Sequence, residues 1–324
     1  TLPFAVLLAT VARAPFPDWL PRALATTGIA LASLFAAVGL WQAATHKLFF
    51  FAPNLAVSNA NTDFFRVTSL FGDPSLYGRH VVLGIGVALA LLAARRSNRW
   101  LLLGALVVMW AGLLFSYSQS SMAALLVVTL GIAFAAGDRG VRRSVALVGL
   151  AAALAAAAYA GIQVAGGESL NQLTSDRTDR VETTMRVVRD EPLLGVGIGG
   201  QPDASRRLAE SEQPTASFVS HTTPLAVAAE LGLVGLALYA WLLVGGVRLI
   251  VAAGRRDQAL GLALGAALGA LFVHALFYSG FVEDPLTWLV LAIAAGYLAG
   301  HPRTPAERAA ERRAARERPA AVAR

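Results

Sequence analysis

Six arginines, nine carboxylates and one histidine are concentrated between Gly166 and His221, in a chain whose charged fraction is only 15%. Arg177 and Arg180 stand one helical turn apart, so both guanidinium groups can approach one anion. Arginine suits phosphate because it stays charged and offers two parallel N–H donors. His221 lies just ahead of Thr222-Thr223-Pro224, where proline in the first turn marks a helix start. The positive end of the helix dipole disfavours an imidazolium there, leaving a neutral ring available as a base near neutral pH. Fixed cations for an anionic leaving group, with a base for the proton of an incoming hydroxyl, amount to group-transfer chemistry.

Plainer readings stand beside these. A histidine at a membrane interface also serves as a solvated cap. Asp176 and Asp179 beside two arginines make an ion-pair network more simply than a divalent-metal site, so no metal and no cofactor is expected. The glycines at 195, 197, 199 and 200 let backbone N–H groups approach a ligand, and serve equally well as a turn.

The elements that must hold these residues are written for lipid. A chain of 324 residues that is 56% hydrophobic, with mean hydropathy +0.59, has too little polar surface to cover a soluble core. It reads as an all-α polytopic membrane protein. Apolar segments fall near 22–43, 75–94, 100–117, 121–136, 144–165, 222–250, 258–279 and 286–300, which gives eight spans, with a partial first helix over 1–12. The opening run, about 11 residues ahead of Arg13, reads as the remnant of a first helix rather than a signal peptide. The Ala, Gly and Leu content of 144–165 favours close helix contacts through small side chains. Without cysteine there is no disulfide framework or thiolate site.

Arginine clusters set the orientation. Arg95, Arg96 and Arg99, then Arg139, Arg142 and Arg143, then Arg255 and Arg256, then the tail 301–324, occupy alternate loops. The positive-inside rule puts them in the cytoplasm and puts 44–74, 117–121, the 166–221 loop and the Glu283-Asp284 turn on the other face. The domain plan is one transmembrane unit over 1–300, interrupted by the 166–221 loop, then the basic tail. That tail is expected to lie on anionic lipid and not to bind nucleic acid.

In the first outer loop, Gly72-Asp73-Pro74 breaks the chain and a helix follows from about Ser75. Arg66 precedes this turn, and Tyr77, Arg79 and His80 follow it. Interfacial anchoring beside Phe64 and Phe65 is the bland role for Arg79 and His80, and anion binding the functional one. Ser175 to Arg189 reads as helical, capped by Asp176 or Thr178, with Val181, Met185 and Val188 forming an apolar stripe for the membrane surface. Gly232, about three turns beyond His221, is expected to share its face and to let a neighbouring helix pack closely.

The combination R-x14-P-L-L-G-V-G-x-G (Arg177 to Gly199) and H-x10-G (His221 to Gly232), preceded by R-V-T-S-L-F-G-D-P-S-L-Y-G (Arg66 to Gly78) and L-F-S-Y-S-Q-S-S-M-A-A-L (Leu114 to Leu125), resembles the O-antigen ligase and polymerase superfamily. The resemblance covers roughly residues 60–300. It implies a metal-independent, inverting glycosyltransferase of the GT-C type in the cytoplasmic membrane. Such an enzyme transfers a glycan from an undecaprenyl-diphosphate carrier to a hydroxyl of a second glycan or a lipid A-core-like acceptor, on the extracytoplasmic face. It also implies that Arg177 and His221 are catalytic and that Arg180, Arg66, Arg79 and Gln119 contact the diphosphate or glycan. In the family's Ser-Arg-x-Ala motif an arginine stands where this chain has Gln119, so Arg66, Arg79 or Arg180 would have to supply that charge.

Two other classes compete. A transporter or flippase places ionisable groups in mid-membrane, and here only Glu230 and His274 lie well inside the spans, where they could pair with each other or with Arg79. A non-catalytic scaffold would have no reason to gather Arg177, His221 and a further arginine about one cavity.

Overall fold

The computed structural model describes residues 2–50, 52–165, 177–278 and 280–302. The described residues form helices and connecting turns without strands: α1 (Leu2–Val11), α2 (Leu20–Thr45), α3 (Pro53–Ala60), α4 (Pro74–Ala93), α5 (Arg99–Leu114), α6 (Gln119–Ala136), α7 (Arg139–Ala165), α8 (Arg177–Asp190), α9 (Gln201–Leu208), a 3₁₀ turn (Thr215–Phe218), α10 (Thr223–Gly254), α11 (Gln258–Ala275) and α12 (Pro285–Gly300). Five of them, α2, α4, α6, α10 and α11, are long and apolar enough to cross a membrane. Helices α5 and α12 are apolar but shorter. The sequence reading divides the chain at nearly the same places, but it omits α3 and α9, which are too short to show a period.

Local chemistry sets the helix starts. The Asp73 carboxylate accepts the backbone N–H groups of Ser75 and Leu76 at 2.7 and 3.0 Å, with Pro74 in the first turn. Asp284 caps α12 through Leu286, Asp257 caps α11 through Leu260, and the Ser118 hydroxyl caps α6 through Ser121. Each cap stands next to an apolar run, so each of these helices begins with one or two of its free N–H groups satisfied.

Helix α4 is the centre of the bundle, with α2, α5, α6 and α11 packed around it. Its inward residues Tyr77, Val81, Val82, Ile85 and Ala88 are fully buried against Ala36, Met109, Leu113, Ala124 and Ala270. A second core joins α10, α11 and α12 through Tyr239, Leu264, Leu268, Phe281 and Leu291. Close approach through small residues is found between α2 and α4, where Gly84 lies against Ala32, and between α2 and α5, where Gly112 lies against Ala36. Half of the side chains behind the corresponding expectation for 144–165 lie outside the described residues.

The arginine clusters gather at one end of this bundle. Arg96 reaches Asp257 at 3.9 Å, Arg256 donates to the carbonyls of Leu298 and His301, and Arg142 donates to Phe134 O. Every candidate functional residue lies at the opposite end.

Candidate functional site

Two buried glutamines position the site, and neither announces itself in the sequence. Gln42, fully buried near the end of α2, accepts the N–H groups of Thr68 and Ser69 at 3.1 and 2.7 Å and donates to Ser69 O at 2.9 Å. This clamp holds the loop that carries Arg66. Ser69 adopts a positive φ of 54°, a strained conformation that the clamp stabilises. Arg66 is half-buried, donates through Nε to Ser116 O at 3.4 Å, and feels the Asp73 carboxylate. Burial pulls its pKa below the ordinary arginine value, against the opposing pull of Asp73.

Gln201, the first residue of α9, is the second clamp. Its amide nitrogen donates to Thr184 Oγ1, Ser205 Oγ and Phe218 O at 3.2, 2.8 and 3.0 Å, and its Oε1 accepts the N–H of Ser220 at 3.0 Å. Thr184 in turn donates to Arg180 O at 2.6 Å. One side chain therefore ties the helix of Arg180 to the residue before His221. The result is a direct contact between the Arg180 guanidinium and His221 Nε2. A guanidinium only donates, so the contact suits the tautomer in which Nε2 carries the lone pair. A small cavity at the contact is lined by Arg180, Val181, Ser220, His221, Thr222 and Leu276.

The glycine-rich segment has a structural role that the sequence reading left open. Helix α10 is broken at Gly232, whose φ of 65° and ψ of −166° lie in a region open essentially to glycine alone. The break frees the carbonyls of Ala229 and Glu230 and the N–H groups of Leu233 and Val234, which an unbroken helix would pair with one another. The 192–197 segment replaces all four partners. Val196 and Gly197 donate to Ala229 O and Glu230 O, both at 2.9 Å, while Leu233 and Val234 donate to Pro192 O and Leu193 O at 2.8 and 3.4 Å. A Cβ built on Gly232 would overlap the Leu193 carbonyl. Gly232 thus admits a loop backbone, and not the neighbouring helix expected from the H-x10-G spacing. Its helix-breaking dihedrals separate it from the face of His221.

Arg177 opens α8 one turn before Arg180; its side chain, like all of Ser175 and Asp176, lies outside the described residues. The buried face of α8 carries Thr184 and Val187, and Val188 packs with Val187, Ala204 and Ala229. Of the expected apolar stripe only Val181 and Met185 remain exposed. Arg79 does not join Arg180: it is partly buried and pairs with the buried Asp284 at 2.5 Å. Gln119 is exposed at the start of α6, beside a cluster in which the hydroxyls of Ser75, Ser118, Ser120 and Ser121 bond to one another. His80 donates to Leu76 O and stacks on Phe71, in a structural role.

Glu230 and His274 do not pair with each other or with Arg79. Glu230 is satisfied by the backbone N–H groups of Gly199 and Gln201, at the positive end of α9, and His274 donates to Ser75 O at 3.1 Å. Backbone groups reached both side chains before any charged partner did.

The segment after α11 joins these parts. His274 bonds to α4, Leu276 O accepts the Thr222 hydroxyl beside His221 at 3.2 Å, and Asp284 holds Arg79. Tyr278 stands between them, its phenol held above the usual value by burial and by Asp73, with Arg79 acting the other way. The Arg180–His221 contact and the Arg66 loop therefore sit at the same end of the bundle as the Arg79–Asp284 pair.

No curated protein sequence matches the chain. The family model described as O-antigen ligase matches residues 64–240, a stretch that begins two residues before Arg66 and takes in the Ser118 cluster, α8, the Gly195–Gly200 run, His221 and Gly232. That match covers more than half of the 324 residues, and the chain belongs to the O-antigen ligase family, whose activity is glycan transfer of the ligase or polymerase type.

Proposed function

We propose that this protein transfers a glycan from an undecaprenyl-diphosphate carrier to an acceptor hydroxyl, at the extracytoplasmic face of the cytoplasmic membrane and without a metal. The observation that carries the reading is the Arg180–His221 contact, a cation held against an imidazole beside a small cavity at the end of the bundle away from the arginine clusters.

In the resting arrangement Arg180 occupies the lone pair of Nε2. An arriving diphosphate offers the guanidinium a stronger, charge-assisted partner, and its transfer to the phosphate oxygens releases Nε2 for the acceptor. The acceptor oxygen then bonds to the anomeric carbon on the face opposite the carrier, the bond from that carbon to the phosphate oxygen breaks, and the diphosphate departs with the electron pair. His221 takes the hydroxyl proton. Arg180, with Arg177 one turn away on α8, meets the charge that develops on the leaving group. Arg66, charged and half-buried at the same end, is the further cation suited to glycan or diphosphate. Gln119 contributes a neutral, exposed amide at the start of α6, and Arg79 is assigned to the frame that holds Asp284.

The test is transfer by purified protein in proteoliposomes carrying undecaprenyl-diphosphate glycan and candidate acceptors, with and without chelator. Products sized as a ladder mean polymerisation and a single addition means ligation. His221→Ala and Arg180→Ala should each abolish transfer while the protein stays in the membrane, and full activity in both would overturn the proposal.

A further inference from the structure

We infer that the Pro192–Gly200 segment is inserted into the lipid at the headgroup–acyl boundary, as a shallow anchor that fixes the depth of the Arg180–His221 pair. Three large apolar side chains on this loop point away from the protein: Leu193, Leu194 and Ile198 are 66%, 74% and 85% exposed. The nine residues from Pro192 to Gly200 carry no charge. In water such a surface would be costly, whereas against hydrocarbon each side chain gains the transfer free energy of a buried one.

Loops rarely enter lipid because their backbone groups lose water, and only backbone that finds partners within the protein is tolerated there. This loop has them. The exchange across Gly232 satisfies the N–H groups of Val196 and Gly197 and the carbonyls of Pro192 and Leu193, while Gly195 N–H bonds to Glu191 O and Gly200 N–H to Gly197 O.

The depth follows from α10. From Gly232 to Gly254 the helix is about 33 Å long at about 1.5 Å per residue, close to the roughly 30 Å of a hydrocarbon core. Arg255 and Arg256 mark one boundary, which places Gly232, and the loop docked on it, at the other. The exposed loop residues also continue the exposed apolar face of α10 at Leu233, Leu238 and Trp241, a face that any membrane-crossing position of this helix turns toward lipid. The occupant of this surface is therefore the acyl region of the leaflet at that end of the bundle. Helices α8 and α9 flank the anchor and pack on each other through Val187, Ala204 and the Gln201–Thr184 hydrogen bond, which ties the Arg180–His221 pair to the anchor's depth. The inference concerns location alone and does not depend on the proposed chemistry.

The absence of cysteine makes the test direct. Single-cysteine variants Leu194→Cys and Ile198→Cys, with Gln213→Cys as the exposed control, are labelled with bimane in nanodiscs, where both faces meet the buffer. The expected result is blue-shifted emission at 194 and 198, quenched several-fold more by shallow 5-doxyl lipid than by aqueous iodide, and the reverse at 213. Iodide quenching at 194 and 198 equal to that at 213 would overturn the inference. Leu193→Cys provides a third site should either variant express poorly. A chain with lipid-quenched labels and no transferase activity would sink the proposed function and leave this anchor standing.

Discussion

The Oε1 atom of Gln201 accepts the backbone N–H of Ser220 at 3.0 Å, while its amide nitrogen holds Thr184 one turn beyond Arg180. Gln201→Ala leaves the buried Ser220 N–H and the partly buried Phe218 O without partners, at about 1–3 kcal/mol. If that energy is what keeps Arg180 against His221, transfer should fall about tenfold to a hundredfold, at about 1.4 kcal/mol per tenfold. Turnover by Gln201→Ala and by Ser205→Ala, which removes a single partner, is the comparison to make. Equal activities would assign Gln201 no positioning role.

Gly232→Ala should be far more harmful than Gly197→Ala. Both have positive φ, 65° and 91°, but a Cβ at 197 meets open space while one at 232 overlaps the Leu193 carbonyl. Strain alone costs about 1–3 kcal/mol, and at 232 the exchanged hydrogen bonds are lost as well. Thermal unfolding in detergent should show a mild shift for Gly197→Ala and a large one, with poor yield, for Gly232→Ala.

Breaking the Arg79–Asp284 pair strands a buried charge, and loss of one partner of such a pair costs about 3–5 kcal/mol. Arg79→Met should therefore destabilise the protein strongly, and adding Asp284→Asn, which keeps an acceptor for Leu286 N–H, should recover part of the loss. A double variant no more stable than Arg79→Met would show that the pair is not coupled.

At the opposite end, His301 Nε2 meets Asp18 at 2.9 Å, and this hydrogen bond, with a second to Tyr297 O, raises the pKa of the imidazole. A pKa raised on folding contributes stability that is fully present below the unfolded value of about 6.5 and is lost as pH climbs through the folded value. The melting temperature of the parent protein should exceed that of Asp18→Asn near pH 5.5 and converge with it by about pH 8.5. The exposure of both groups keeps the difference small.

Much of the fold was legible because it follows from composition and caps. Asp73-Pro74, Asp257 and Asp284 announce the starts of α4, α11 and α12, and the alternate arginine clusters sort the loops to two ends. The break at Gly232 was not legible. Apolar residues run through 231–234 without interruption, and the dihedrals become affordable only when the 192–197 segment, some 40 residues earlier, supplies the missing partners. The same holds for Gln42 and Gln201: each lies in a stretch that reads as apolar or as a glycine turn, and its importance depends on which distant backbone it meets. Of the candidate residues, Arg180 stands against His221, a contact that no spacing rule announces, and Arg79 is claimed by Asp284, a partner more than 200 residues away.

The exchange of hydrogen bonds across the α10 break has a dynamic consequence. Four amides that belong to two distant parts of the chain, Val196, Gly197, Leu233 and Val234, cannot be released separately, because opening either strand of the exchange exposes both. They form one cooperative unit of local unfolding, and their deuterium uptake should rise together, at a single rate set by the weaker side of the joint.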